Sequence, residues 1–219
     1  MQSYLQSNNM KKISEKTINR LITYRQILNR LIYDGVESIF SHKLAELSGN
    51  TPAQVRRDLM VVGYNGTPVK GYRVDELEKS IGYFIDDPEG QKIAIIGLGN
   101  LGTSLLNYCY WRYPNISLLV AFDKDKDKIR EDIYDCHIYH INLLEQVVKE
   151  EEITLAILSV PPAEAQSIAD RLVNAGIKGI INYSSLHLNV PGHISYEEYD
   201  MLSSVQKIGY LTRNKLNLD

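Results

Sequence analysis

The segment Lys92–Asp123, KIAIIGLGNLGTSLLNYCYWRYPNISLLVAFD, decides the fold. It begins with a short apolar run, KIAIIG, and passes through Gly97-Leu-Gly99-Asn-Leu-Gly102, a G-x-G-x-x-G pattern. A helix-compatible stretch, GTSLLNYCYW, follows, and then a second apolar run, SLLVAFD, that ends on an acid. Strand, glycine turn, helix and strand in this order predict a dinucleotide-binding βαβ unit. The three glycines have separate tasks in such a turn: tightness, close backbone approach to a pyrophosphate, and close packing of helix on sheet. Amides at the helix start and the helix dipole then hold the pyrophosphate. Asp123 stands 21 residues beyond Gly102, where a ribose-binding carboxylate is expected. It accepts from ribose hydroxyls and repels a 2′-phosphate, so NADH/NAD⁺ is the expected cofactor, with Lys124 beside it softening that preference.

Downstream the alternation continues. NLLEQVVKE reads as a helix, ITLAILSV as a third strand, PAEAQSIADRLVNAG as a helix ending at Gly176, and IKGIIN as a fourth strand. Apolar strands separated by helices predict a parallel sheet covered on both faces.

Upstream the pattern is helical. Lys16–Tyr33 carries apolar residues at helical spacing and stops at Asp34-Gly35. Ser41 is a second start, before the short helix HKLAELS and a stop at Gly49-Asn50. Thr51 is a natural N-cap, Pro52 suits the first helical position, and Gln54 completes a capping box. The helix PAQVRRDLMVV is expected to expose Gln54, Arg56, Arg57 and Asp58 between Val55 and Leu59. A short helix, a glycine turn and a capped helix rich in Arg and Gln form a helix-turn-helix pattern. Glycines at 63, 66 and 71 punctuate Gly63–Val74 as a hairpin or wing, and DELEKSIGYFI closes the unit as a helix. Asp86–Gln91 is acidic and broken by Pro88 and Gly90, which marks a boundary.

The expected fold class is therefore α/β. A winged-helix DNA-binding domain occupies residues 1–85, a linker 86–91, and a Rossmann-like parallel-sheet domain 92–199. Charge agrees with this division. Residues 1–74 hold eleven Lys and Arg against five acids, a net +6, and the rest hold thirteen against twenty-two, a net −9. Only the first part is suited to meet a polyanion. No run reaches the eighteen apolar residues of a membrane helix, and MQSYLQSNNMKK lacks the apolar core of a signal peptide. With two cysteines, Cys109 and Cys136, in no metal-ligand spacing, a reducing cytoplasm is the expected compartment.

A hydride-transfer enzyme needs a second region carrying substrate and an acid–base group. About 37 residues follow the fourth strand, and their His187 and His193 have no evident partner. His137 and His140 lack a third metal ligand. No catalytic residue and no metal are expected. A small NAD-dependent oxidoreductase is the alternative, and a nucleotide-binding assembly subunit is a third reading. The capped Thr51–Leu59 helix argues against both, because an enzyme has no use for it.

Several segments in this order resemble the Rex family of redox-sensing repressors: RLITYRQIL, TPAQVRRDL, GLGNLG with AFDKD, SVPPAEAQ, AGIKGIIN and YEEYDMLSS. The resemblance spans almost the entire chain. It implies a homodimer whose C-terminal helix, within residues 200–219, swaps onto its partner. It also implies binding to double-stranded operator DNA when NAD⁺ prevails and release when NADH binds. By the same resemblance, Gly97, Leu98, Gly99, Asn100, Leu101, Gly102, Asp123 and Lys124 hold the cofactor, with Val160, Pro161 and Asn182 near its nicotinamide half. Thr51, Gln54, Arg56, Arg57 and Lys70 meet DNA, and Arg25, Asp200 and Met201 belong to the switch. Two departures stand out: Met60-Val61-Val62 with Pro68 and Val69 in the wing region, and Gln26, beside Arg25, where the family carries an arginine.

Overall fold

The computed structural model describes residues 13–67, 70–112, 115–129 and 132–215. Pro68 and Val69 of the wing and the tail 216–219 lie outside them. The chain divides into two compact units after Pro88.

In the first unit, α1 spans Glu15–Tyr33, capped by the Ser14 side chain, which accepts from the Thr17 amide. Residues Ser41–Ser48 form α2, ended by Gly49 in the left-handed conformation, and α3 spans Pro52–Val61. Helix α2 begins with no side-chain cap, since Phe40 holds the capping position and Ser41 is its first residue, not its cap as its type suggests. Two short strands, β1 (Ser38–Ile39) and β2 (Tyr72–Arg73), pair antiparallel, and Thr67 bridges Gly71 to shape the wing. Helix α4 (Val74–Ile85) closes the unit. Leu21, Tyr24, Leu28, Leu44, Val55, Leu59, Leu77 and Ile81 form its buried core, drawn from all four helices.

The second unit contains β3 (Gln91–Ile96), α5 (Asn100–Arg112), β4 (Ile116–Asp123), β5 (His137–His140), α6 (Leu144–Glu150) and β6 (Leu155–Leu158). It continues with α7 (Pro162–Ala175), β7 (Gly179–Asn182), β8 (Ser195–Glu198) and α8 (Met201–Lys215). The sheet runs β5-β4-β3-β6-β7-β8, and every pairing is parallel. Strand period sorts the side chains into two cores. Ala94, Ile96, Phe122 and Leu158 pack with α6 and α7, whereas Ile93, Ile95, Ala121 and Ile157 pack with Leu106 of α5. The strand order reverses between β3 and β6, and a crevice at the carboxyl ends of the strands at such a point is the binding place of open α/β sheets.

The sheet has six strands where the sequence pattern predicts four. The two additional ones, β5 and β8, are the edges. Their residues, HIYH and SYEE, are largely uncovered and bury a single isoleucine between them, so they carry no apolar run. Among the described residues no helix is long and apolar enough to cross a membrane.

Candidate functional site

A cavity of about 740 Å³ opens at the switch point. Gly97, Gly99, Asn100 and Leu101 line it from the glycine turn, Asp123 and Lys124 from the end of β4, and Val160 and Pro161 from the end of β6. Gly97 has φ +89°, and a Cβ there would lie 2.7 Å from the Ser159 carbonyl oxygen. A Cβ on Gly102 would overlap the Gly97 carbonyl oxygen, so α5 can sit this close to the strand end only without a side chain.

Asp123 is 7% exposed. One carboxylate oxygen accepts from the Leu98 amide at 2.7 Å and Lys128 Nζ at 3.2 Å, and the other from the Asp125 amide at 2.9 Å. Burial opposes its ionisation, yet the Asp125 and Leu98 amides and Lys128 hold its pKa below the usual carboxylate range. A carboxylate offers about four acceptor positions, and three are taken, which leaves one for a ribose hydroxyl. Lys124 is occupied by Glu164 at 2.5 Å across the cavity mouth.

Not every expected residue faces the cavity. Leu98 is buried and contributes its amide to Asp123. Asn182 is fully buried and saturated: its amide donates to the Leu186 carbonyl and the Tyr196 hydroxyl, and its carbonyl accepts from the Ser184 amide and hydroxyl. It braces the loop after β7. Conversely, Lys128, Ser159 and Arg171 line the cavity although no motif marks them. Ser159 donates to the Gly97 carbonyl at 2.8 Å and so holds the turn. Its place between β6 and Val160 was the available signal.

On α3, Thr51 Oγ1 accepts from the Gln54 amide, as its N-cap role requires. The capping box is only half made, because the Gln54 side chain turns to Asp58 (Nε2 to Oδ1, 2.8 Å). Asp58 itself, expected on the exposed face, is 2% exposed. Its carboxylate accepts from Arg20 twice, at 2.7 and 2.8 Å, and from the Tyr24 hydroxyl at 3.0 Å. Those α1 partners make burial of the charge affordable and keep its pKa low against desolvation. Arg56 and Arg57 remain exposed, Arg56 donating to Ser41 Oγ and Arg57 to Gln54 Oε1 at 2.7 Å. Lys70 is exposed at the wing turn, its amide donating to Thr67 Oγ1.

Residues 89–186 match the family model described as "CoA binding domain", and residues 12–59 match "Putative DNA-binding protein N-terminus". A redox-sensing transcriptional repressor Rex of Geobacillus kaustophilus (strain HTA426) is 36% identical over 208 residues, 95% of this chain and 97% of that protein. The chain belongs to the Rex family. The Rex repressor of Listeria welshimeri is 34% identical over 93% of this chain and 94% of its own. The crystal structure of RSP, a Rex-family repressor, matches with a TM-score of 0.84 at 30% identity, covering 94% of this chain and 98% of that one. RSP structures in complex with β-NADH and with β-NAD⁺ and operator DNA match at TM-scores of 0.81 and 0.84, each over 94% of this chain.

The residues expected to belong to the switch, Arg25, Asp200 and Met201, fall in both units. Arg25 is held inside the first unit, donating to Glu78 at 2.8 Å and Asp86 at 2.7 Å, and these carboxylates raise its pKa. Asp200 caps α8, accepting from the Leu202 amide and the Ser203 hydroxyl, which lowers its pKa. Met201 is 74% exposed. On β5, His137 Nδ1 pairs with Asp132, and His140 Nδ1 accepts from the Asn142 amide. No metal-binding group occurs among the described residues. Cys109 and Cys136 are free thiols, and burial pushes Cys136 up to about 12, far from reactive.

Proposed function

We propose that this repressor binds operator DNA as a homodimer when its cavity is empty or holds NAD⁺, and releases it when NADH binds. One observation carries the reading: a Rossmann cavity with Asp123 at its β4 end stands in the same chain as a capped Arg56-Arg57 helix. RSP, whose structures contain these two ligand types, provides the parallel. The cofactor is held by the Gly97–Gly102 turn, Asp123 and the Val160–Pro161 loop. Arg57 or Arg56 reads base edges in the major groove while the other touches phosphate. Thr51 and Lys70 complete the DNA face, with Gln54 holding Arg57 beside them. The limits 1–85, 86–91, 92–199 and 200–219 remain our division of the chain into reader, linker, sensor and dimer tail.

The exposed face of α8 supports the dimer. Met201, Leu202, Val205, Ile208 and Leu211 are 45–74% exposed along it. A lone helix of this length with an uncovered apolar stripe is marginal in water, and a second copy of the chain supplies the missing cover. Two readers in one dimer then meet half-sites spaced by helical turns, so altering their separation prevents joint docking. NADH and NAD⁺ differ in the charge of the nicotinamide ring, and burying a cation in an apolar cleft costs free energy. Closure around the neutral ring is therefore favoured, and that differential affinity shifts the equilibrium. The chain thus acts as an intracellular regulator rather than an enzyme.

Fluorescence anisotropy of a duplex selected from random DNA, in saturating NADH and in equal NAD⁺, tests the reading. A loss of tenfold or more with NADH, about 1.4 kcal/mol of coupling, is expected. Equal affinity in the two cofactors defeats the redox reading.

A further inference from the structure

We propose that Asp58 is a positioning residue that aims Arg57 at the DNA through Gln54. This rests on α3 being the reader helix and adds to it a device that sets base specificity.

At 2% exposure Asp58 cannot touch a duplex itself. Its reach is indirect. Arg20 Nη2 and Gln54 Nε2 donate to Oδ1, and Arg20 Nε and the Tyr24 hydroxyl donate to Oδ2. All four acceptor positions of the carboxylate are filled, so it has one arrangement. An ionised carboxylate only accepts, which forces the NH₂ end of the Gln54 amide inward. The Gln54 oxygen must then point outward, and there it accepts from Arg57 Nη2 at 2.7 Å. The chain Arg20/Tyr24–Asp58–Gln54–Arg57 thus runs from the buried core of α1 to the exposed guanidinium. It holds one arm of the Arg57 fork and leaves the others to meet a guanine edge. A side chain already ordered before binding does not lose that freedom on the DNA.

Asp58→Asn breaks the logic without changing shape. Its amide can present NH₂ to Gln54, which lets the Gln54 amide flip and face Arg57 with donors instead of an acceptor. Arg57 is then unanchored. The general attraction of α3 for phosphate is retained, because Arg56 and Arg57 keep their charges.

The test uses the full-length protein and a duplex that the wild type selects from random DNA. Asp58→Asn should lower affinity for that duplex by about three- to tenfold, and affinity for scrambled DNA by much less. Ile81→Val, which trims the same buried core from α4 and leaves every hydrogen bond to Asp58 in place, should leave the matched-to-scrambled ratio unchanged. A double-mutant cycle is decisive. In an Arg57→Ala background, Asp58→Asn should cost less than about twofold more, because its effect passes through Arg57. Full additivity, or an equal loss of specificity in Ile81→Val, overturns the proposal and leaves the reader helix standing. If Asp58→Asn does not fold, Gln54→Met replaces it in the same cycle, with the same non-additivity expected and additivity overturning the proposal. A wild-type protein that selects no duplex overturns both this proposal and the function it rests on.

Discussion

Replacing Asp123 by alanine removes the acceptor of the Leu98 amide (2.7 Å), the Asp125 amide (2.9 Å) and Lys128 Nζ (3.2 Å) together. Two consequences follow, with separate magnitudes. In the free protein the Leu98 N–H is buried and orphaned, at a cost of about 1–3 kcal/mol. At roughly 3 °C per kcal/mol, the melting temperature should fall by about 3–9 °C. In the NADH complex the one remaining acceptor position no longer meets a ribose hydroxyl. A hydrogen bond to a charged group is worth about 1.5–3 kcal/mol, so NADH affinity should fall about 10- to 150-fold. NADPH responds differently, since losing the carboxylate also removes repulsion of its 2′-phosphate. The preference for NADH should therefore narrow more than stability alone accounts for. Calorimetric titration of wild type and Asp123→Ala with both cofactors measures this directly. An NADH-to-NADPH affinity ratio that does not move would show that the carboxylate does not face the ribose, and the cavity assignment would fail with it.

Arg56→Ala and Arg57→Ala should each weaken operator binding with NADH affinity unchanged. The base-reading arginine should cost about 1–3 kcal/mol and the phosphate-contacting one should lower the salt slope by about one; two variants that bind like wild type would mean that another element reads DNA. If α8 forms the proposed dimer, Val205→Asp or Ile208→Asp on it should give a monomer in sedimentation and weaken operator binding, and a variant that stays dimeric would refute the tail's role. Arg171 donates to Glu145 at 2.5 and 2.7 Å and pulls its carboxyl from 4.5 to about 2. A folded value below the unfolded one stabilises fully above about pH 5 and is lost as pH falls toward 2. Glu145 is 40% exposed, so solvent limits the contribution to about 0.5–1 kcal/mol; the stability gap between wild type and Arg171→Met in urea should close over that interval, and a gap independent of pH would exclude the ion pair as its source.

The βαβ unit around Gly97–Gly102 was legible in the sequence because each of its constraints is local. The apolar runs of β3 and β4, the glycine spacing and an acid at the next strand end are all written within 32 consecutive residues. Helix limits set by Thr51, Gly49 and Gly176 were legible for the same reason: a cap satisfies amides or carbonyls one turn away. What the sequence left undecided depends on partners distant along the chain. Asp58 reads as a solvated helix residue until Arg20 and Tyr24, 38 and 34 positions earlier, fold against it. Asn182 reads as a strand-end ligand contact until Leu186, Ser184 and Tyr196 consume its bonds. Strands β5 and β8 gain their conformation from the neighbour's backbone ladder and not from apolar side chains of their own, so their pattern is silent. Local sequence specifies conformation and capping, but a polar group's cost of burial is set by whatever the fold brings to it, and only the tertiary structure contains that information.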